Sequence, residues 1–338
     1  MKKSLFLASA AAVALTAGFA NAGTLEDVQG KGKLACGVSQ GLPGFSAATE
    51  AGVYEGLDVD FCRAVAAAVL GDGQAVEFTP LSAKDRFTAL SSGEIDVLSR
   101  NTTWTMSRDT DLGLSFVGVT YYDGQGMMVP ADLGVKSALE LDGAVICTNT
   151  GTTTELNITD YFNQHGMKFE LVAIENSDEV VAAYDSGRCN VFTTDRSGVA
   201  AERLKLENPD AHVVLPEIIS KEPLGPAVRS DDDQWMKINR WTLNALIEAE
   251  EYGITQANVD EMLASENPSI QRILGVGEND FGSPMGLSAD WAYKAIKAVG
   301  NYGEMYERNV GPNTPLKLER GVNALWSQGG FQYAAPIR

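Results

Sequence analysis

Between Lys33 and Leu98 the hydrophobic period of the chain switches back and forth, and that alternation restricts the fold more than any other feature. Residues 34–38 make a short apolar run of the kind a buried strand shows. Leu57, Phe61, Val65 and Val69 then recur every four residues, marking one face of a helix that Gly71 ends. Residues 76–81 read as a second strand. Ser82 can cap a helix that carries Phe87 and Leu90 and closes at Gly93, after which residues 95–98 read as a third strand. A β-α-β-α-β order implies a parallel sheet with right-handed crossovers, hence an α/β fold.

The pattern then starts again. Residues 114–122 and 125–129 read as strands that turn at Asp123 and Gly124, followed by strands at 145–147, 169–174, 191–193 and 213–215 with helices between them. Residues 221–226 hold two prolines and a glycine and read as a return connection. Helices are expected at 235–252, 259–264, 270–274 and 291–306, the first led by Asp231, Asp232 and Asp233, whose charges suit its dipole. The aromatic-rich tail from 325 to 333 is expected to pack back on the body. Two βα units joined by two short crossings result: residues 23–123 with 227–338 in one lobe, residues 124–226 in the other. A chain of 338 residues is long enough to give both a core.

The third strand ends in an unusual polar run. Arg100, Asn101, Thr102, Thr103, Thr105 and Arg108 follow with only Trp104, Met106 and Ser107 among them. Donors gathered at the carboxyl end of a strand in an α/β sheet stand where such folds bind ligands. A carboxylate suits them, since Arg108 or Arg100 can grip it bidentately; a solvated surface loop is the plainer alternative. Two more strand ends match. Thr148 to Thr154 leads into a helix and can hold a carboxylate or simply cap it, with Thr152 and Glu155 spaced as a capping box. Asp195 can accept from an ammonium group or serve as an N-cap.

The first 22 residues stand apart. Lys2 and Lys3, an apolar run and Ala20-Asn21-Ala22 have the layout of a secretory signal peptide cleaved after Ala22. The apolar run is too short to span a bilayer. Removing those two lysines takes the formal charge from −19 to −21, which argues against nucleic acid or anionic membranes as partners. Four cysteines in an exported chain invite disulfides, with three pairings open. Cys36 on the first strand faces the helix of Cys62, and Cys147 and Cys189 lie by two later strands, which favours 36–62 and 147–189. A metal is not expected, since no CxxC or paired histidine accompanies them.

Enzymatic signals are poor. Gly37, Ser39 and Gly41 fit G-x-S-x-G, but Leu42, Pro43 and Gly44 continue as a loop where a nucleophile elbow needs a helix. The only histidines are His165 and His212. No nucleotide-cofactor or phosphate-loop fingerprint occurs, so no cofactor is expected.

Taken jointly, several motifs are familiar. Gly56 to Asp60, Arg86 to Asp96, Arg100 to Thr105 with Arg108 and Asp109, Tyr121 to Gly126, Thr150 to Glu155, Gly187 to Cys189, Thr194 to Arg196 and Ser220 to Pro226 resemble the periplasmic amino-acid-binding proteins of ABC importers. Within that polar amino-acid family the general L-amino-acid-binding branch is the nearest in pattern, over essentially the whole mature chain. The resemblance implies a two-lobed flytrap of type II with a helical C-terminal extension. It also implies a monomer in the periplasm that serves membrane permease subunits. It gives Arg108 the ligand's α-carboxylate, helped by Thr103 and by Thr153 across the cleft. Asp195 takes the α-ammonium group together with Asn101. Arg100, Asn149 and the loop from Leu42 to Phe45 line the side-chain pocket. The family often has an aromatic residue where Leu42 stands and small hydroxyl residues where Arg100 and Asn101 stand. A broad pocket follows, best for Glu, Gln, Asp and Asn and weaker for Lys and Arg. The alternatives are a dehydratase of prephenate-like acids on the same scaffold and the sensor domain of a receptor kinase.

Overall fold

A computed structural model describes residues 23–338. The expected signal peptide and its cleavage after Ala22 lie outside the described residues. Among the described residues no helix is long and apolar enough to cross a membrane.

The chain builds two five-stranded sheets, one in each lobe. In the first, the strand Leu34–Ser39 pairs in parallel with Val76–Leu81 on one side and Val97–Leu98 on the other. Ala227–Arg229 and Leu114–Phe116 extend it antiparallel beyond Val97–Leu98. In the second, Ala144–Asn149 lies between Phe169–Ile174 and Val191–Asp195, with Gln125–Pro130 and His212–Val214 completing the order. The chain therefore leaves the first sheet, builds the second and returns to the first. Each sheet has its own apolar core. The first centres on the helix Leu57–Leu70, with Leu57, Phe61 and Val65 fully buried; the second uses Ile146, Phe162, Val191 and Phe192.

Cys36 bonds to Cys62 and Cys147 to Cys189, each bridge inside one lobe. Closing loops of these lengths contributes at most about 3.5–4 kcal/mol each by chain entropy.

Several elements differ from the sequence reading. The helix expected to start at Ser82 spans Arg86–Ser91 with Asp85 as its N-cap, because the Ser82 hydroxyl accepts the Asp85 N–H and holds a turn before it. The run 114–122 is not one strand. It breaks after Phe116, and Tyr121–Asp123 pairs antiparallel with Glu222–Leu224 as a two-stranded link between the lobes. The Pro- and Gly-rich return is thus itself a strand, with Pro223 on an edge where no ladder N–H is needed. Residues 291–306 form two helices, Trp291–Val299 and Tyr302–Asn309, separated where Gly300 turns to φ 78° and Asn301 caps the second. A short helix, Thr24–Lys31, was not anticipated.

The C-terminal extension packs against the first lobe and clasps the link. Asn323 Oδ1 accepts the Tyr122 N–H at 2.7 Å while its Nδ2 donates to the Tyr122 carbonyl, and the Tyr302 hydroxyl donates to the Thr120 carbonyl.

Candidate ligand-binding cleft

The carboxyl ends of the parallel strands of both sheets open into one cavity between the lobes. From the first lobe Ser39, Leu42, Arg86, Arg100, Asn101 and Thr103 reach it; from the second come Asn149, Thr153, Asp195 and Glu202. Strand ends are where the backbone of an α/β sheet leaves polar side chains uncovered by crossover helices.

The cations come from the first lobe. Arg100 is 5% exposed, its Nε donates to the Leu81 carbonyl at 3.0 Å, and burial pulls its guanidinium down to about 10. Arg86 is more deeply placed. Its Nη1 reaches the Thr102 hydroxyl at 3.3 Å, its Nη2 reaches the Gly151 carbonyl at 3.5 Å, and its Nε has no partner among the described residues. Arg108 is buried beside the cavity rather than on its wall: its Nη1 donates to the Thr103 carbonyl at 2.9 Å and its guanidinium lies over the Phe87 ring. Burial lowers both of these guanidinium pKa values as well, and each guanidinium feels the Asp195 charge in return.

The anions come mainly from the second lobe. Asp195 ends the strand Val191–Asp195 and begins the helix Arg196–Arg203, yet its side chain makes no capping bond. Among the described residues its one side-chain hydrogen bond is from Asn101 Nδ2, at 3.4 Å across the cleft. Burial, then the charges of Asp123 and Glu222, hold its carboxyl well above the usual carboxylate range. Asn101 is held in turn by Asp58, whose carboxylate accepts the Asn101 N–H at 2.9 Å and the Ser99 hydroxyl at 3.4 Å. That grip fixes Asn101 at φ 25°, a left-handed conformation Asn tolerates better than most residues. Burial pushes Asp58 up to about 6 in spite of those bonds.

Thr103 and Thr153 do face each other, with hydroxyls 3.4 Å apart, but a carboxylate of the protein already sits on both. Glu222 Oε2 accepts from Thr103 at 2.6 Å and from Thr153 at 2.9 Å, while Oε1 accepts from Asn157 and Ser220. Glu222 lies on the linking strand and so ties the two lobes together at the hinge. Asn149 lines the cavity while its amide leans on the Ile174 and Glu175 carbonyls. Leu42 lids the pocket in a tight loop closed by reciprocal backbone bonds with Ser46.

The sequence reading did not single out Arg86, Asp58, Glu202 or Glu222 as site residues. Arg86 opens the helix after the second strand, and Glu202 falls two turns after Asp195, so position alone could have flagged both. Glu222 is surrounded by prolines and glycine and gave no signal.

A cavity at the strand ends of two hinged lobes, cationic on one wall and anionic on the other, defines a solute-binding protein. Residues 34–258 match the family described as bacterial extracellular solute-binding proteins, family 3, and the chain belongs to that family. It is 60% identical, over the full length of both chains, to the general L-amino acid-binding periplasmic protein AapJ of Rhizobium johnstonii. It is 55% identical, again over the full length of both, to the glutamate/glutamine/aspartate/asparagine-binding protein BztA of Rhodobacter capsulatus. Among solved structures, an ABC transporter periplasmic binding protein from Brucella ovis with glutathione bound superposes with a TM-score of 0.92 at 57% identity, covering 94% of this chain and 100% of that one. These relatives are binding proteins, not enzymes.

Proposed function

We propose that the protein is an exported receptor for L-amino acids, broad in range with acidic and amide side chains foremost, that delivers its ligand to the permease subunits of an ABC importer. The observation that carries this reading is Asp195: a buried carboxylate at a helix start, uncapped, facing buried guanidinium groups across a cleft. An amino acid is a zwitterion, and a closed cleft must match both charges or leave each desolvated without compensation. Its ammonium group goes to Asp195 and Asn101. Its carboxylate goes to the guanidinium cluster of Arg108 and of Arg86, whose Nε is without a partner among the described residues. It gains the Thr103 and Thr153 hydroxyls only by displacing Glu222 from them, while its side chain points toward Arg100, Asn149 and Leu42. Residues 23–123 with 227–338 act as one lobe and 124–226 as the other. Because the cations belong to one and Asp195 to the other, pairing is complete only when the lobes close, so binding shifts the population toward the closed form.

The names of the relatives agree with this reading, and so does the ligand of the Brucella neighbour: glutathione begins with a glutamyl group that keeps its α-ammonium and α-carboxylate and carries an amide on its side chain. The chain is expected to act as a monomer in the periplasm after cleavage behind Ala22. Calorimetry against the twenty amino acids, on protein unfolded and refolded to strip carried-over ligand, tests the proposal. Glu, Gln, Asp and Asn are expected to bind tightest, Lys and Arg less tightly. Failure of every amino acid to bind overturns the proposal, and turnover of prephenate or arogenate favours the dehydratase reading.

A further inference from the structure

Of the charged residues lining the cavity, Arg86, Arg100, Asp195 and Glu202, only Glu202 has no part in the proposed grip on an amino acid. It lines the same cavity as Arg100 and is only 6% exposed. It stands seven residues after Asp195, and Gly198 between them also lines the cavity, so the three share one stripe of the helix Arg196–Arg203. Two turns of helix separate Asp195 from Glu202 by about 10 Å along the axis, the length scale of a long amino-acid side chain with a hydrogen bond at each end. The glycine between them leaves the stripe open to a ligand lying along it.

The charge on Glu202 is incompletely matched. The Lys205 ammonium is 2.9 Å from Glu202 Oε2, yet this oxygen is buried without a hydrogen bond of proper geometry. Lys205 is shared: besides this ion pair, its Nζ donates to the Gly41 carbonyl of the opposite lobe at 2.6 Å and to Asp178 at 3.1 Å. Opposite stands Arg100, whose charge Glu202 feels and whose Nε alone has an acceptor among the described residues. The far end of the pocket thus carries one carboxylate and one guanidinium, each with bonding capacity left over.

We propose that Glu202 is a specificity-determining residue, the partner for ligands with cationic side chains, so that the pocket takes lysine and arginine on Glu202 and acidic or amide side chains on Arg100. The inference rests on the amino-acid-binding function proposed above. Lys205 acts as the internal cation that a basic ligand supplants, and the nearby Arg100 charge keeps basic ligands below acidic ones in affinity. Breadth then comes from paired opposite charges at one subsite rather than from a featureless wall, and a neutral side chain disturbs neither.

The test is calorimetry with glutamine, glutamate, lysine and arginine on wild type, Glu202→Gln and Lys205→Met. Glu202→Gln keeps the shape and removes the charge, so lysine and arginine should weaken by about tenfold or more. Glutamine should be unchanged and glutamate unchanged or tighter. Lys205→Met also removes the bond to Gly41 and weakens all ligands, so its readout is a ratio: arginine should gain on glutamine. Equal losses of lysine, arginine and glutamine in Glu202→Gln overturn the proposal. An unchanged arginine-to-glutamine ratio in Lys205→Met does so too, as does wild type that binds glutamine but neither basic amino acid. If wild type binds none of the four, it is the amino-acid-binding reading that fails.

Discussion

At the scale of single residues, the site is a problem of buried charge. Arg86, Arg100 and Arg108 stand within one another's fields with most of their surface removed from water. Like charges are gathered this way when an anion is meant to sit among them, because solvent screening is absent. Glu222 supplies part of that anion from within, and the ligand's carboxylate supplies the rest. Arg108→Ala removes the shared counter-charge of both, so every amino acid should lose affinity by a similar factor, about 3–5 kcal/mol. Titration calorimetry with glutamine, alanine and leucine checks this. Binding that stays within about threefold of wild type, some 0.65 kcal/mol, would transfer the carboxylate to Arg86. The two residues differ in how readily the sequence reveals them. Arg108 is recognisable from its motif, whereas Arg86 opens a motif and a helix without any sign of its role, which appears once the second strand is seen to end beside the cleft.

At the scale of elements, the hinge decides how the residues meet. The strands Tyr121–Asp123 and Glu222–Leu224 are short and closely packed against their surroundings. A Cβ added at Gly225 would lie 1.9 Å from the Gly118 carbonyl oxygen, so no side chain fits between the two crossings. Gly225→Ala should force them apart and cost about 1–3 kcal/mol or more in stability. It should also loosen ligand binding, because Glu222 would no longer span Thr103 and Thr153. Urea unfolding and calorimetry on the same variant check both effects, and an unchanged midpoint would mean the crossing can relax. The sequence revealed the long strands well. Val76–Leu81 and Phe169–Ile174 were read to the residue, since each is a short, mainly apolar stretch with β-branched and aromatic side chains among its residues, bounded by turn residues. It concealed the hinge for the opposite reason. Three residues around a proline carry no periodicity, and their pairing is defined only by a partner about a hundred positions earlier in the chain. The split at Gly300 was hidden likewise, because one glycine in an apolar helical pattern can be either tolerated or a stop.

At the scale of the whole molecule, closure and protonation are one process. Away from the hinge the lobes touch through one short bond, Lys205 to the Gly41 carbonyl at 2.6 Å, and several long ones: Asn101 to Asp195 at 3.4 Å, Arg86 to the Gly151 carbonyl at 3.5 Å and Lys84 to Glu175 at 3.3 Å. With Asp195 and the guanidinium groups left unpaired across the cleft, a ligand that adds its own charges to both walls shifts the population toward the closed form. Closing without a ligand also buries Asp195 near Asp123 and Glu222, and its carboxyl is then held above its ordinary range. The ligand's ammonium group reverses this by favouring the ionised carboxylate. The sign follows. As pH falls, the unliganded closed form takes up a proton at Asp195, a ligand must expel that proton to bind, and affinity drops. Stability of the unliganded fold moves the other way for the same kind of group. Asp58, pushed up to about 6, contributes stability that is fully present below its unfolded value near 4 and is lost as pH rises through 6. The stabilisation added by glutamine should therefore shrink as pH is lowered from neutral, with protons released on binding at the acid end. Calorimetry in two buffers of different ionisation enthalpy measures that release, and thermal unfolding with and without glutamine measures the stabilisation. In Asp195→Asn the proton release should vanish while the fold survives, since Asn also begins helices well. Affinity that rises on acidification, or proton release that persists in Asp195→Asn, would move the titrating group away from Asp195.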